Sequence, residues 1–447
     1  MLRNAYTRIL LQFLGATICS SGVLAANCTS VIITSLADAE ALRQNCPVVN
    51  GTVGIGLFNE TTTQHINLDG VEVIQGNLQS VENVFNTDDI TSTPYTISSS
   101  TLRLVEGSIE LFQDSLQNLT LPNLTTVYGS FYIMESPITY LDITSLESAD
   151  SFVLGGNNLT TLHHTKLTNT TAIELYEMSV DSVDSILSNP LDIISCHIEG
   201  PFPNMESITL GFTNVSQEVR IYASLNVTLG GSSATKLHVE SLILDGNSTG
   251  LTRSPTLESL TANSMVVTNT FMSRLDVDFD DLQSLESHSP KYYYLEEIRL
   301  PPQAVNWTGG FELYVTANPK LNFTSQYTID DAGNQVRTWY WPTNVSRIEI
   351  LWPLIGNGFL HDDTFLTQEM QPLNSTPAPS ILNDFSITPN NNSVFNCTPF
   401  DTLHQMGRLN GSYSCFSELP SAAPAILVPS LMAVISVLFG LTMVSTF

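Results

Sequence analysis

The chain reads as an all-β protein whose short parallel strands stack into a β-solenoid with a disulfide-closed cap at each end. Three observations predict this fold: a recurring apolar pattern, strand spacing within each copy, and a cysteine pair near each terminus. The pattern is clearest from Leu119 to Leu175, where it returns about every 21 to 22 residues. One copy is Leu119, Leu121, Leu124, Val127, Phe131, Ile133. The next is Leu141, Ile143, Leu146, Ala149, Phe152, Leu154, and the third is Leu162, His164, Leu167, Thr170, Ile173, Leu175. Within each copy apolar residues alternate in pairs (Phe131-x-Ile133, Phe152-x-Leu154, Ile173-x-Leu175), the period of a strand. So short a unit cannot bury its own apolar face and must stack on its neighbours.

The elements follow in order. Residues 1–25 predict a secretory signal peptide: Arg3 and Arg8, an apolar core from Ile9 to Ile18, then the small-residue site Val23-Leu24-Ala25. From residue 26 to about 50 an N-terminal cap is expected, closed by Cys28–Cys46 and holding one helix candidate, Ala37 to Arg43. An uncapped first coil would offer unpaired strand edges to other chains. Strand spacing begins at Val53-x-Ile55-x-Leu57 and runs through Ile66-x-Leu68 and Val71-x-Val73. It weakens between Ser80 and Ser100, where an insertion is expected, and resumes at Leu102-x-Leu104. Later copies include Ile208-x-Leu210, Leu237-x-Val239, Leu242-x-Leu244 and Leu275-x-Val277-x-Phe279. The solenoid with its cap is therefore assigned residues 26–330, roughly a dozen coils at about 4.8 Å each.

Residues 331–369 are aromatic-rich and predict an end cap around Trp339-Tyr340-Trp341. Residues 370–424 read as a Pro-, Asn- and Ser-rich connector ending in a module closed by Cys397–Cys415. Each of the two bridges closes a short loop, stabilising by about 3 kcal/mol in the loop-entropy model. Cys196 is left over and is expected to be a buried apolar residue of a coil. Residues 425–447 form a second apolar run with no Lys or Arg after it, preceded by Ser421-Ala422-Ala423. That order predicts a glycosylphosphatidylinositol (GPI) anchor signal with attachment at Ser421, a retained single span being the alternative.

Seventeen of the 34 Asn residues stand in Asn-x-Ser/Thr sequons, where composition alone gives about seven. They are Asn27, Asn50, Asn59, Asn118, Asn123, Asn158, Asn169, Asn214, Asn226, Asn247, Asn306, Asn322, Asn344, Asn374, Asn391, Asn396 and Asn410. The excess predicts passage through the secretory pathway, with each occupied sequon facing outward. Net charge is −28, with 15 Lys and Arg in the whole chain, which leaves no basic surface to neutralise phosphates and excludes nucleic acid as partner.

The segment Leu121-Pro-Asn-Leu-Thr-Thr-Val-Tyr-Gly-Ser-Phe-Tyr-Ile133 resembles the leucine-rich repeat of receptor L-domains. Asp69-Gly-Val-Glu-Val-Ile-Gln-Gly-Asn-Leu78 and Leu313-Tyr-Val-Thr-Ala-Asn-Pro-Lys-Leu321 are similar to further such repeats. The C-terminal module, Cys397 through Phe400-Asp401 and Gly411-Ser412-Tyr413-Ser414 to Cys415, resembles the closing segment of the fungal GPI-anchored cell-wall-organisation and sporulation family. The resemblance implies a right-handed parallel β-solenoid on a fungal cell surface. It further implies a wall-integrity role without catalysis or cofactor, wall polysaccharides or wall proteins as partners, and membrane attachment through the lipid.

Two chemistries compete with that expectation. In Leu275-Asp-Val-Asp-Phe-Asp-Asp281, alternation places Asp276, Asp278 and Asp280 on one outward face, where three carboxylates could hold Ca²⁺ or act as acid and base in a carbohydrate-active β-helix. Only Arg274 lies nearby on the strand, and a solvated acidic face is preferred. Trp339, Tyr340 and Trp341, with Trp307 and Tyr292-Tyr293-Tyr294, offer flat faces for sugar rings or, as preferred, cover the solenoid's open end. His163 and His164 point to opposite faces of a strand and cannot share a metal. No catalytic or metal-binding set stands out.

Overall fold

The structure, a computed structural model, describes residues 28–56, 62–81, 93–112, 115–268 and 272–288, and segments 297–299, 311–316, 327–337, 345–351, 384–388 and 397–415, with a few single residues omitted. Parallel strands stack coil upon coil into a β-solenoid, as the repeat predicts. Among the described residues, one sheet of 19 strands runs along the stack. Its ladder starts with Val31–Ile33 on Val53–Ile55 and passes through Thr126–Met134, Ser148–Gly156, Ala172–Met178 and Asp192–Glu199. It continues through Asn214–Tyr222, Lys236–Asp245 and Ser259–Thr268. A side sheet of five strands, from Gln64–Asn67 to Thr161–His163, flanks the early coils, and a three-stranded one, Ser207–Leu210 to Gly250–Arg253, flanks later ones. Between them the side strand gives way to one helical turn, Asp184–Leu187, which buries Ile186 and Leu187. That turn is why the apolar period loosens after residue 180.

Parallel register puts identical positions of successive copies in contact. Phe131 pairs with Phe152, which pairs with Ile173, then Cys196, Val219 and Leu242. Every apolar position of the first two copies is fully buried. The Phe131 and Phe152 rings stack at 5.3 Å with an interplanar angle of 6°. Cys196 occupies an ordinary core position, and burial pushes its thiol up to about 12, which keeps it protonated and unreactive.

His164 sits where the preceding copy has Ile143. Its Nε2 donates to the Leu146 carbonyl at 2.9 Å, and its Nδ1 is buried without a formed hydrogen bond. Burial holds the imidazole pKa below the ordinary 6.5, against the opposing pull of the Leu146 and Ser185 backbones. A His depressed in the folded state binds its proton more readily once unfolded, so stability is lost as pH falls below 6.5. Thermal melts at neutral and mildly acidic pH should therefore show a gap that His164→Leu narrows; an unchanged gap would assign acid sensitivity elsewhere.

Both disulfides form as predicted, Cys28 with Cys46 and Cys397 with Cys415. The N-terminal cap helix spans Leu36–Asn45, with Ser35 accepting from the Asp38 amide and Asp38 accepting from Ser35 and Thr34. One coil step between Gln64 and Tyr95 spans 31 residues rather than 21 or 22, consistent with the insertion expected after Ser80. The sheet does not stop at residue 330. Val345–Leu351 pairs with Phe311–Thr316, then Asp384–Thr388 and finally Ser412–Cys415 extend the same parallel ladder. The C-terminal disulfide module thus carries the last described rung of the sheet, where the sequence suggests a separate unit. Phe385 stacks on Phe400 and Tyr413 there, and Tyr413 donates to Asp401 at 2.7 Å.

Candidate functional site

Because inward residues are spent on the core, any site must lie on the outward positions between them. Between each apolar pair of the long sheet stands one outward residue, with others two positions either side. Register aligns these into columns. One column reads Tyr132, Val153, Glu174, His197, Arg220, Ile243, Val266. Two residues on, the next contains Phe112, Met134, Gly155, Tyr176, Glu199, Tyr222 and Asp245 in neighbouring coils. Two residues back, a third carries Ser130, Ser151, Ser195, Ser241 and Ser264.

The centre of this face is a connected polar and aromatic surface. Tyr176 donates to Glu174 at 2.7 Å, and its ring meets His197 edge-on at 5.4 Å. The Nε2 of His197 lies 3.2 Å from a Glu199 carboxylate oxygen. Burial, then the bond to Glu174, raises the Tyr176 phenol, so it remains a donor at any physiological pH. Arg220 lies 3.7 Å from Glu218, and Tyr222 is 48% exposed. Phe112 and Tyr132, on adjacent coils, meet edge to face at 6.2 Å. Val153 and Gly155 are small and buried, and Met134 and Tyr176 close over Gly155. A Cβ on Gly155 would stand 2.6 Å from Met134 Sδ and 2.9 Å from Tyr176 Cβ, so this position accepts only glycine without displacing the face.

Past the face strands the chain turns through left-handed backbone. Glycine occupies that corner at Gly200 and Gly246, with φ of 101° and 72°. A Cβ at Gly246 would meet the Tyr222 ring at 3.0 Å, so the glycine gives that ring its seat on the next coil.

The sequence-derived candidates fall elsewhere. Leu275, Val277 and Phe279 are buried and Asp276, Asp278 and Asp280 face outward, as alternation requires. Their cation supply, however, is larger than the strand suggested. Arg274 pairs with Asp276 at 3.0 Å, while Arg253, from the preceding coil, reaches Asp280 at 2.9 Å and Asp278 at 3.6 Å. Asp280 also accepts from the Leu260 amide at 2.7 Å. Each of these carboxylates is paired with an arginine while remaining nearly half exposed. Among the described residues no three metal-ligating side chains converge. His163 is exposed and His164 turned inward, on opposite faces. Trp339, Tyr340 and Trp341, Trp307, Tyr292 to Tyr294, and Ser421 lie outside the described residues, as do the signal and C-terminal apolar segments.

Seven sequon asparagines are described. Asn50, Asn123, Asn158 and Asn169 are exposed, Asn118, Asn214 and Asn226 are half-buried, and none is in the core. They lie on side strands, corners and the start of one long-sheet strand. None of the seventeen sequons falls in the outward-face segments 130–134, 151–155, 172–176, 195–199, 218–222, 241–245 or 264–268. Composition could not find this face, because its members become neighbours only through register; the residue left blank in each apolar pair was the one available signal. Comparison with family models, curated proteins and solved structures returns no match.

Proposed function

We propose that this chain is a non-catalytic, GPI-anchored glycoprotein of a fungal cell surface that contributes to the organisation and integrity of the cell wall. The observation that carries the proposal is the division of the surface: the described sequons stand on side strands, corners and one strand start, while one aromatic and polar face lacks them. Bulky glycans cover some surfaces and leave another open for contact with wall polymers or wall proteins. The two disulfides accord with an oxidising, extracellular setting. The outward carboxylates that most resembled an enzyme's are engaged by Arg253 and Arg274, which favours contact over catalysis.

Cells lacking the chain should be hypersensitive to wall-perturbing dyes, and a phosphatidylinositol-specific phospholipase should release the protein from membranes. Wild-type dye tolerance in the deletion strain would sink the wall role; protein that resists the lipase would favour a retained span. A glycan-binding surface receptor or adhesin is the second function, favoured by the same sequon-free face.

A further inference from the structure

We propose that the outward face of the long sheet, from Phe112 to Asp245, binds a neutral, extended β-1,4-linked polysaccharide laid along the direction of stacking. The proposal rests on the wall-glycoprotein function and adds to it a site and a ligand class.

The rise of the face sets the ligand's repeat. Successive coils are about 4.8 Å apart, and an extended β-1,4-linked glycan advances by roughly one strand spacing per sugar. Such a chain turns alternate sugars over, so equivalent sugar faces recur every second residue. Tyr132, Tyr176 and Tyr222 stand on every second coil, Tyr176 and Tyr222 in one column and Tyr132 in the adjacent column two residues back: Val153 lies in register between Tyr132 and Glu174, and Glu199 between Tyr176 and Tyr222. Each ring offers an apolar face to sugar C–H groups and a phenol to sugar hydroxyls. The Tyr222 ring is held ready by the space at Gly246.

Between the rings lie the groups a polyol needs. Glu174 and Glu199 accept hydrogen bonds, His197 and Arg220 bring donors, and the serine column lies alongside with hydroxyls that do both. The charges decide the ligand's sign. His197 is matched by Glu199 and Arg220 by Glu218, in a chain of net charge −28. An anionic polymer meets no uncompensated cation here, whereas a neutral one needs none. A protein partner is the poorer match: tight protein interfaces concentrate on a few large anchors in one packed centre, while this face spaces single aromatic rings along two adjacent columns.

The test uses full-length, natively glycosylated protein in detergent, with retention on chitin and on cellulose, both extended β-1,4 polymers, measured against protein concentration, and coiled β-1,3-glucan, expected to bind less, as the contrast. Wild type should be retained on at least one of the two β-1,4 polymers. Tyr222→Ala should weaken retention about tenfold, Tyr176→Ala with Tyr222→Ala should weaken it further, and Tyr222→Phe, which keeps the ring and loses the hydroxyl, should lose only a minor part of that. Tyr140→Ala, on the side sheet, serves as the aromatic control and should leave retention unchanged. Far-UV circular dichroism shows that each variant keeps its β content, and Tyr222→Phe reports on the face without emptying it. Equal retention of the double alanine variant would overturn the site, as would failure of wild type to bind either β-1,4 polymer, or a face used instead for self-association that Tyr222→Ala disrupts. These failures differ from that of the wall function: deletion cells that remain dye-sensitive keep the function while the site falls, and indifferent deletion cells remove the function itself.

Discussion

Replacing Phe152 with alanine is expected to destabilise the solenoid by about 4 kcal/mol. Phe152 is fully buried, stacks face to face on Phe131 and lies in register with Ile173, so it fills the space between two coils. In a stacked repeat each unit contacts only its neighbours, and no distant element can move in to fill the void. The same ring lies 6.3 Å from His164, so the cavity would also open toward a buried polar nitrogen. Denaturant unfolding followed by far-UV circular dichroism should show a lower midpoint for Phe152→Ala, with Phe152→Leu losing a minor part of that amount. A midpoint within error of wild type would mean that Phe131 and Phe152 are not packed between coils.

Removing the Cys397–Cys415 bridge by paired serine substitution should cost about 3 kcal/mol, the loop-closure value for a separation of 18 residues. The effect should be concentrated at the C-terminal end. There the bridge ties the short helix beginning at Thr398 to Ser412–Cys415, the final strand of the ladder. That strand protects Asp384–Thr388 from becoming an open edge. Hydrogen exchange should therefore accelerate at 384–388 and 412–415 and stay unchanged near Phe152. Uniform acceleration along the chain would contradict a bridge that acts as a local clasp.

Much of the fold was legible because burial acts on a local period. Phe131, Phe152 and Ile173 were assigned the same position from spacing alone, and they stand in one register column. Less was legible where the period changes. Coil steps lengthen from 21 residues at Thr171 to 35 at Ser346, and the longer steps hid the ladder beyond residue 330. The acidic strand shows a similar divide. Alternation fixed which way Asp276, Asp278 and Asp280 face, but the Arg253 that binds two of them lies 27 residues from Asp280 and arrives only through stacking. The candidate face was least legible of all. Tyr176 and His197 are 21 residues apart, and no short motif announces their contact.

Register therefore carries the account: only in this parallel alignment do Tyr132, Glu174, Tyr176, His197 and Tyr222 share one surface. The direct measurement is oxidative cross-linking of paired cysteine substitutions, read by mass spectrometry after digestion without reductant. Glu174→Cys with His197→Cys joins partners in register and should cross-link efficiently. Glu174→Cys with Tyr222→Cys separates the thiols by two coils and a two-residue offset and should yield none. Cross-linking of the second pair but not the first would show that the coils are stacked in another register and that the face does not exist.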